Sequence, residues 1–139
     1  MSPSMILAAW NVNSLNVRLP RLLEWLAAVR PEVVYLQETK LVDENFPMAA
    51  LADAGYDAVF SGQKTYNGVA VLTRRATMPP AVDVVAALSG LDDPQKRLIA
   101  ATVTMWLHLE RGESRAVAPA FEKLVQLLQS CKTVGEWNI

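Results

Sequence analysis

Val33–Lys40, read VVYLQETK, decides how this chain folds. Val33, Val34, Tyr35 and Leu36 are β-branched, aromatic and apolar, with Pro31 closing whatever precedes them, so the run reads as a buried strand. It ends abruptly in polar residues, and Glu38 falls at the strand's carboxyl end. In open α/β sheets ligands gather at that edge, which makes this carboxylate a candidate site residue. This stretch alone favours a purely local role for it: pairing with Lys40, or capping the next turn.

Upstream, Met5–Trp10 reads as another buried strand, ended by the polar residues Asn11, Asn13, Ser14 and Asn16. Between the two strands, Leu19, Leu22, Leu23, Leu26 and Ala27 recur at helical spacing, predicting an amphipathic helix over about Arg18–Val29 with Pro20 in its first turn. A strand–helix–strand unit implies a right-handed crossover and parallel strands. Parallel strands end on the same side, so Asn11 and Glu38 are expected to emerge together. An amide oxygen beside a carboxylate suits a hard cation such as Mg²⁺, which takes oxygen ligands and keeps water and substrate phosphate as the rest. Asn11 and Asn13 also suit an Asx-turn at the strand exit.

Downstream, Phe46–Ala54 reads as a short helix with Gly55 at its end, followed by strands over Tyr56–Gly62 and Val69–Thr73. The loop between them, QKTYNG, ends in Asn67-Gly68, a hairpin-turn signal. It presents Gln63, Lys64, Tyr66 and Asn67 together, groups that grip phosphate oxygens without reading sequence. Arg74–Gln95 reads as a long surface connection and Arg97–Leu107 as one long strand. Gly112–Pro119 reads as a loop, and Phe121, Leu124, Val125 and Leu128 mark a final helix.

The 139 residues suit one domain. With 13 Lys and Arg against 14 Asp and Glu, the net charge of -1 excludes bulk attraction to nucleic acid, so any such site is a local patch. A single cysteine, Cys131, excludes an internal disulfide and a cysteine metal cluster, and fits a reducing cytoplasm. The apolar run from Met5 to Trp10 is too short for a signal or a membrane span.

Taken in order and spacing, WNVNS (Trp10–Ser14), RLP (Arg18–Pro20), LQETK (Leu36–Lys40), Phe46-Pro47, AGY (Ala54–Tyr56), FSGQKTYNGVAVL (Phe60–Leu72), GLDD (Gly90–Asp93) and RLIAATV (Arg97–Val103) resemble the exodeoxyribonuclease III and apurinic/apyrimidinic endonuclease family. That family lies within the endonuclease, exonuclease and phosphatase fold. The resemblance is close over residues 5–103 and diverged over 104–139. It implies an α/β fold in which residues 1–139 form the first sheet and flanking helices of a two-sheet, four-layer sandwich, with the second half absent. The inner face of that sheet is then expected to lack a cover, favouring self-association or a complementing chain.

The resemblance further implies a metal-dependent phosphodiesterase. Glu38 is the expected Mg²⁺ ligand (Mn²⁺ as a substitute) with Asn11 beside it, holding the metal's water shell or a carboxylate. The implied substrate is double-stranded DNA with abasic sites or 3′ ends. Asn13, Gln63, Lys64, Tyr66 and Asn67 are the expected contacts to it. Where the family carries Tyr-x-Pro-x-Gly, this chain has His108, Glu110 and Gly112; where it carries Gly-Asp-Phe-Asn, this chain has Gly135, Glu136, Trp137 and Asn138. His108, Glu136 and Asn138 therefore stand as the remaining catalytic candidates. Two other functions fit the same residues: a catalytically silent chain that binds DNA or a partner, and a phosphatase of the same fold.

Overall fold

The computed structural model describes residues 5–87, 90, 95–97, 99–103, 105–108 and 114–117. Its centre is a four-stranded sheet of β1 (Leu7–Asn11), β2 (Val33–Gln37), β3 (Tyr56–Ser61) and β4 (Val69–Arg74), in spatial order β1-β2-β4-β3. The expected parallel pair is present, with Leu7 opposite Val33 and Asn11 opposite Gln37. β4 runs antiparallel to both β2 and β3. Consequently the carboxyl ends of β1, β2 and β3 and the start of β4 share one edge.

The crossover helix α1 spans Leu15–Val29, starting three residues before its apolar periodicity becomes evident. Leu15 is fully buried and belongs to the helical stripe with Leu22 and Leu26. Pro20 therefore falls inside the helix and not in its first turn, which removes one intrahelical donor. α1 ends at Arg30, whose left-handed φ of 54° lets its amide bond Leu26 O at 3.0 Å. A 3-10 turn at Asp43–Asn45 precedes α2 (Met48–Asp53). Phe46 between them stacks on Phe60 of β3, ring centroids 3.9 Å apart.

Alternation along the strands gives the sheet two cores. Val34, Leu36, Ala70 and Leu72 face α1 and α2, meeting Leu15, Leu22, Leu26 and Leu51. Val33, Tyr35, Val69 and Val71 point the other way, where they are buried with Met78 and Ile99 and flanked by Met5, Val59 and Val103. The expectation of an uncovered sheet face is thus corrected over β2 and β4: the segment after β4 folds back across it. Among the described residues, β1 keeps Leu7, Ala9 and Asn11 exposed on that face.

That segment also holds β5 (Val82–Val85), paired antiparallel with β6 (Ala100–Thr102), where the sequence reads as a connection. All four residues of β5 are exposed, so burial imposes no alternation on them. The single strand expected over Arg97–Leu107 is two, β6 and β7 (Met105–His108), in different sheets. β7 pairs antiparallel with β8 (Ser114–Val117), a strand within the expected Gly112–Pro119 loop. The expected final helix lies outside the described residues. Among the described residues, no helix is long and apolar enough to cross a membrane.

Candidate active site

Three loops meet at the shared edge, and their main chains hold one another. As β2 ends, its carbonyls at Gln37, Glu38 and Thr39 accept the amides of Val12, Ser14 and Leu15 at 3.0, 2.9 and 2.9 Å. These carbonyls thus take up donors at the start of α1, where Ser14 makes no side-chain cap. From the other side, the amides of Thr39 and Lys40 donate to Gly68 O and Asn67 O at 3.1 and 2.8 Å. The exit of β2 is clamped between the β1 exit and the β3–β4 loop.

The clamp holds strained backbone. Asn13, Ser14, Glu38, Lys40, Thr65 and Asn67 all have positive φ, and among the described residues only Arg30 and Asp83 are other non-glycines that do. Each costs of order 1–3 kcal/mol, and such residues persist where the surroundings over-determine them, often at ligand sites. Glu38, at φ 53°, thereby turns its carboxylate out of the strand direction toward β1.

Asn11 receives it. Asn11 Nδ2 donates to Glu38 Oε1 at 2.9 Å, while Asn11 Oδ1 accepts the Asn13 amide at 3.1 Å. Asn11 thus forms the Asx-turn and holds the carboxylate through its amide nitrogen, while the amide oxygen expected to face a cation is turned to the main chain. Glu38 Oε2 is the carboxylate oxygen that Asn11 does not hold. Lys40, expected from the sequence only as a local partner for Glu38, joins this group through two contacts. Its Nζ donates to Asn13 Oδ1 at 2.5 Å and lies 3.6 Å from Glu38 Oε2. The signal was present in ETK, where an ammonium sits two residues from the carboxylate, but its bridge to Asn13 depends on two loops meeting.

The QKTYNG loop divides into braces and free groups. Gln63 Oε1 accepts both Lys96 N at 2.9 Å and Asn67 Nδ2 at 3.3 Å, and Gly68 N donates to Lys96 O at 2.8 Å. Gln63 and Asn67 thus fix the loop's shape, whereas Lys64 and Tyr66 project into solvent. Gly62 and Gly68 seat the loop against β2's exit: a Cβ on Gly62 would lie 2.2 Å from Leu41 O, and one on Gly68 2.2 Å from Thr39 Oγ1. His108 closes β7, its main chain paired with Ser114. Glu136 and Asn138 lie outside the described residues.

A carboxylate that is 43% exposed, with one oxygen not bonded to Asn11, is a donor for a hard cation that keeps most of its positions for water and substrate. Among the described residues no three His, Cys, Asp or Glu side chains converge, and Glu38 is the carboxylate that those residues bring to this pair with Asn11. A separate groove of about 580 Å³ between β1 and α1 is lined by Ala8, Trp10, Arg21, Glu24 and Trp25, among others. None of the loop-cluster residues lines it.

Residues 8–122 match the profile of the Endonuclease/Exonuclease/phosphatase family. Exodeoxyribonuclease III of Haemophilus influenzae is 34% identical over 87% of this chain and 48% of its own length. Among solved structures, the 3′ phosphatase NExo from Neisseria, bound to a product DNA hairpin, aligns with 51% identity and a TM-score of 0.67 over 72% of this chain and 38% of that one. An AP endonuclease from Archaeoglobus fulgidus aligns at 35% identity, TM-score 0.67, over 72% of this chain and 37% of its own. The chain therefore spans about half the length of the Haemophilus protein and under two fifths of either solved chain.

Proposed function

The chain belongs to the Endonuclease/Exonuclease/phosphatase family, and from that premise we propose that the Glu38 cluster is part of a DNA-repair site that hydrolyses phosphoesters on duplex DNA, in the manner of exodeoxyribonuclease III. The observation that carries this is the Asn11–Glu38 bond at the sheet edge, beside a loop whose exposed groups suit phosphate. The substrates are abasic sites and 3′ ends. Support for DNA comes from the identity to relatives described as exodeoxyribonuclease III, AP endonuclease and a DNA-bound 3′ phosphatase.

In this reading Glu38 Oε2 holds Mg²⁺, or Mn²⁺, and Asn11 fixes the carboxylate that does so. When bound, the metal polarises the phosphate and offsets charge on the leaving oxygen. Lys64 and Tyr66 lie along the DNA backbone, while Gln63 and Asn67 keep their loop in shape. His108, Glu136 and Asn138 act at the phosphate and the attacking water. The chain is the N-terminal half of such a nuclease domain, cytoplasmic, and pairs with itself or with a complementing chain.

The test is cleavage of two duplexes, one with a single abasic site and one with a 3′ phosphate, with Mg²⁺ and then with chelator. Glu38→Ala should lower the rate by more than ~100-fold, and Asn11→Ala, which removes the bond that orients the ligand together with the Asx-turn, by ~10–100-fold. Cleavage indifferent to chelator or to Glu38 would sink the proposal. A second reading has the chain bind DNA without cutting it. Duplex binding with no Mg²⁺-dependent cleavage in a folded sample selects that reading.

A further inference from the structure

Glu38 already has a cation beside it. Of its two carboxylate oxygens, Oε1 is taken by Asn11 Nδ2 at 2.9 Å and Oε2 faces the Lys40 ammonium at 3.6 Å. That separation is too long for a hydrogen bond but short enough for direct charge attraction. The same ammonium has a second, closer acceptor in Asn13 Oδ1 at 2.5 Å. Left-handed backbone at Asn13 and Lys40, φ 42° and 56°, places both side chains toward this point.

We propose that Lys40 is the resident counter-ion of Glu38, and that a divalent cation binding Oε2 displaces it from the carboxylate and leaves it on Asn13, so that Lys40 limits the affinity of the site for metal. The inference rests on the reading that Glu38 holds the cation. A dication on Oε2 meets the ammonium as a like charge and takes from it the carboxylate it was paired with. Both effects oppose metal binding. Asn13 keeps the opposition moderate, because the displaced ammonium retains an acceptor. The cluster therefore stays charge-balanced without metal and exchanges one cation for another when metal arrives.

The size of the effect is set by solvent. Lys40 and Glu38 side chains are 29% and 43% exposed, so the interaction is screened, and a change of about three- to fivefold in metal affinity is the scale expected of it. It should shrink as ionic strength rises from ~0.01 M to ~1 M, where the screening length falls from ~30 Å to ~3 Å.

Mn²⁺ is the probe, its free concentration read by electron paramagnetic resonance on the full chain without DNA. Wild type is compared with Lys40→Met, Lys40→Gln, Lys40→Arg and Glu38→Gln, each checked for folding by circular dichroism and urea midpoint. Both neutral variants should bind Mn²⁺ about three- to fivefold more tightly at low salt, with the difference narrowing at high salt. The arginine variant, which keeps the charge, should stay near wild type. Unchanged or weaker binding in whichever neutral variant folds, with Glu38→Gln still losing the site, overturns the inference and leaves the functional reading standing. Undiminished Mn²⁺ binding in Glu38→Gln overturns the metal reading itself, and this inference with it.

Discussion

Gly55 and Gly68 have nearly the same left-handed φ, 87° and 88°, and differ in what surrounds the missing Cβ. Nothing lies within 4 Å at Gly55, while at Gly68 the Cβ would strike Thr39 Oγ1 at 2.2 Å. Gly55→Ala should therefore cost only the backbone term, about 1–2 kcal/mol. Gly68→Ala should add about 1–3 kcal/mol of overpacking to that, because Thr39 is buried and cannot swing clear. Urea midpoints of the two variants check this, and Thr39→Ala should restore part of the loss at Gly68 and none at Gly55. Equal costs at the two glycines would mean that the loop is not seated on β2 as described. At this scale the sequence disclosed Asn11 and Glu38, because two parallel strands of readable length must end together. It concealed the Lys40–Asn13 bridge and the cluster of positive φ, since both arise from loops pressed against one another and neither leaves a periodic trace.

At the opposite end of the sheet a single carboxylate ties three strands. Glu32, just before β2, accepts the Ile6 amide through Oε2 at 2.7 Å and pairs through Oε1 with the Arg74 guanidinium at the end of β4. Both side chains are largely buried, and the Arg74 amide also donates to Glu32 O at 2.9 Å. Glu32→Ala leaves a desolvated guanidinium without its partner and should cost about 3–5 kcal/mol. Glu32→Ala with Arg74→Met should recover most of that in thermal unfolding; a loss under about 1 kcal/mol in the single variant would identify an ordinary surface pair. Such a tie fixes the register that puts Asn11 opposite Gln37, and hence Asn11 beside Glu38. The four sheet strands and α1 were legible as elements because each buries one or both faces in a core and so carries an apolar pattern. β5 and β8 were not. β5 is exposed along its whole length, so burial does not select its residue types, and β8 is a four-residue strand that pairs with β7 alone.

Across the whole molecule, the fold's stability depends on a second core that the sequence did not predict. Its cover comes from Met78, in a stretch that reads as a surface connection, and Ile99, in a run that reads as a strand, and neither pattern says that they fold back on Val33, Tyr35, Val69 and Val71. Tyr35 turns this core into a measurable property. Burial pushes its phenol from the usual 10.0 up to about 12, so between those values the folded chain keeps a proton that the unfolded chain has released. The raised group contributes its full stabilisation below pH 10, and that stabilisation is lost as pH climbs toward 12. The slope is about 1.4 kcal/mol per pH unit, or roughly 2.7 kcal/mol over the interval. Tyr56, whose hydroxyl donates to Pro31 O at 2.8 Å, is raised by burial in the same direction. Tyr35→Phe should therefore flatten the alkaline loss without abolishing it. Denaturant midpoints at pH 8.5 and pH 11 decide the matter: wild type should fall further between them than Tyr35→Phe. If the two fall in parallel, the Tyr35 hydroxyl is reached by solvent, and the segment carrying Met78 and Ile99 does not close this face of the sheet.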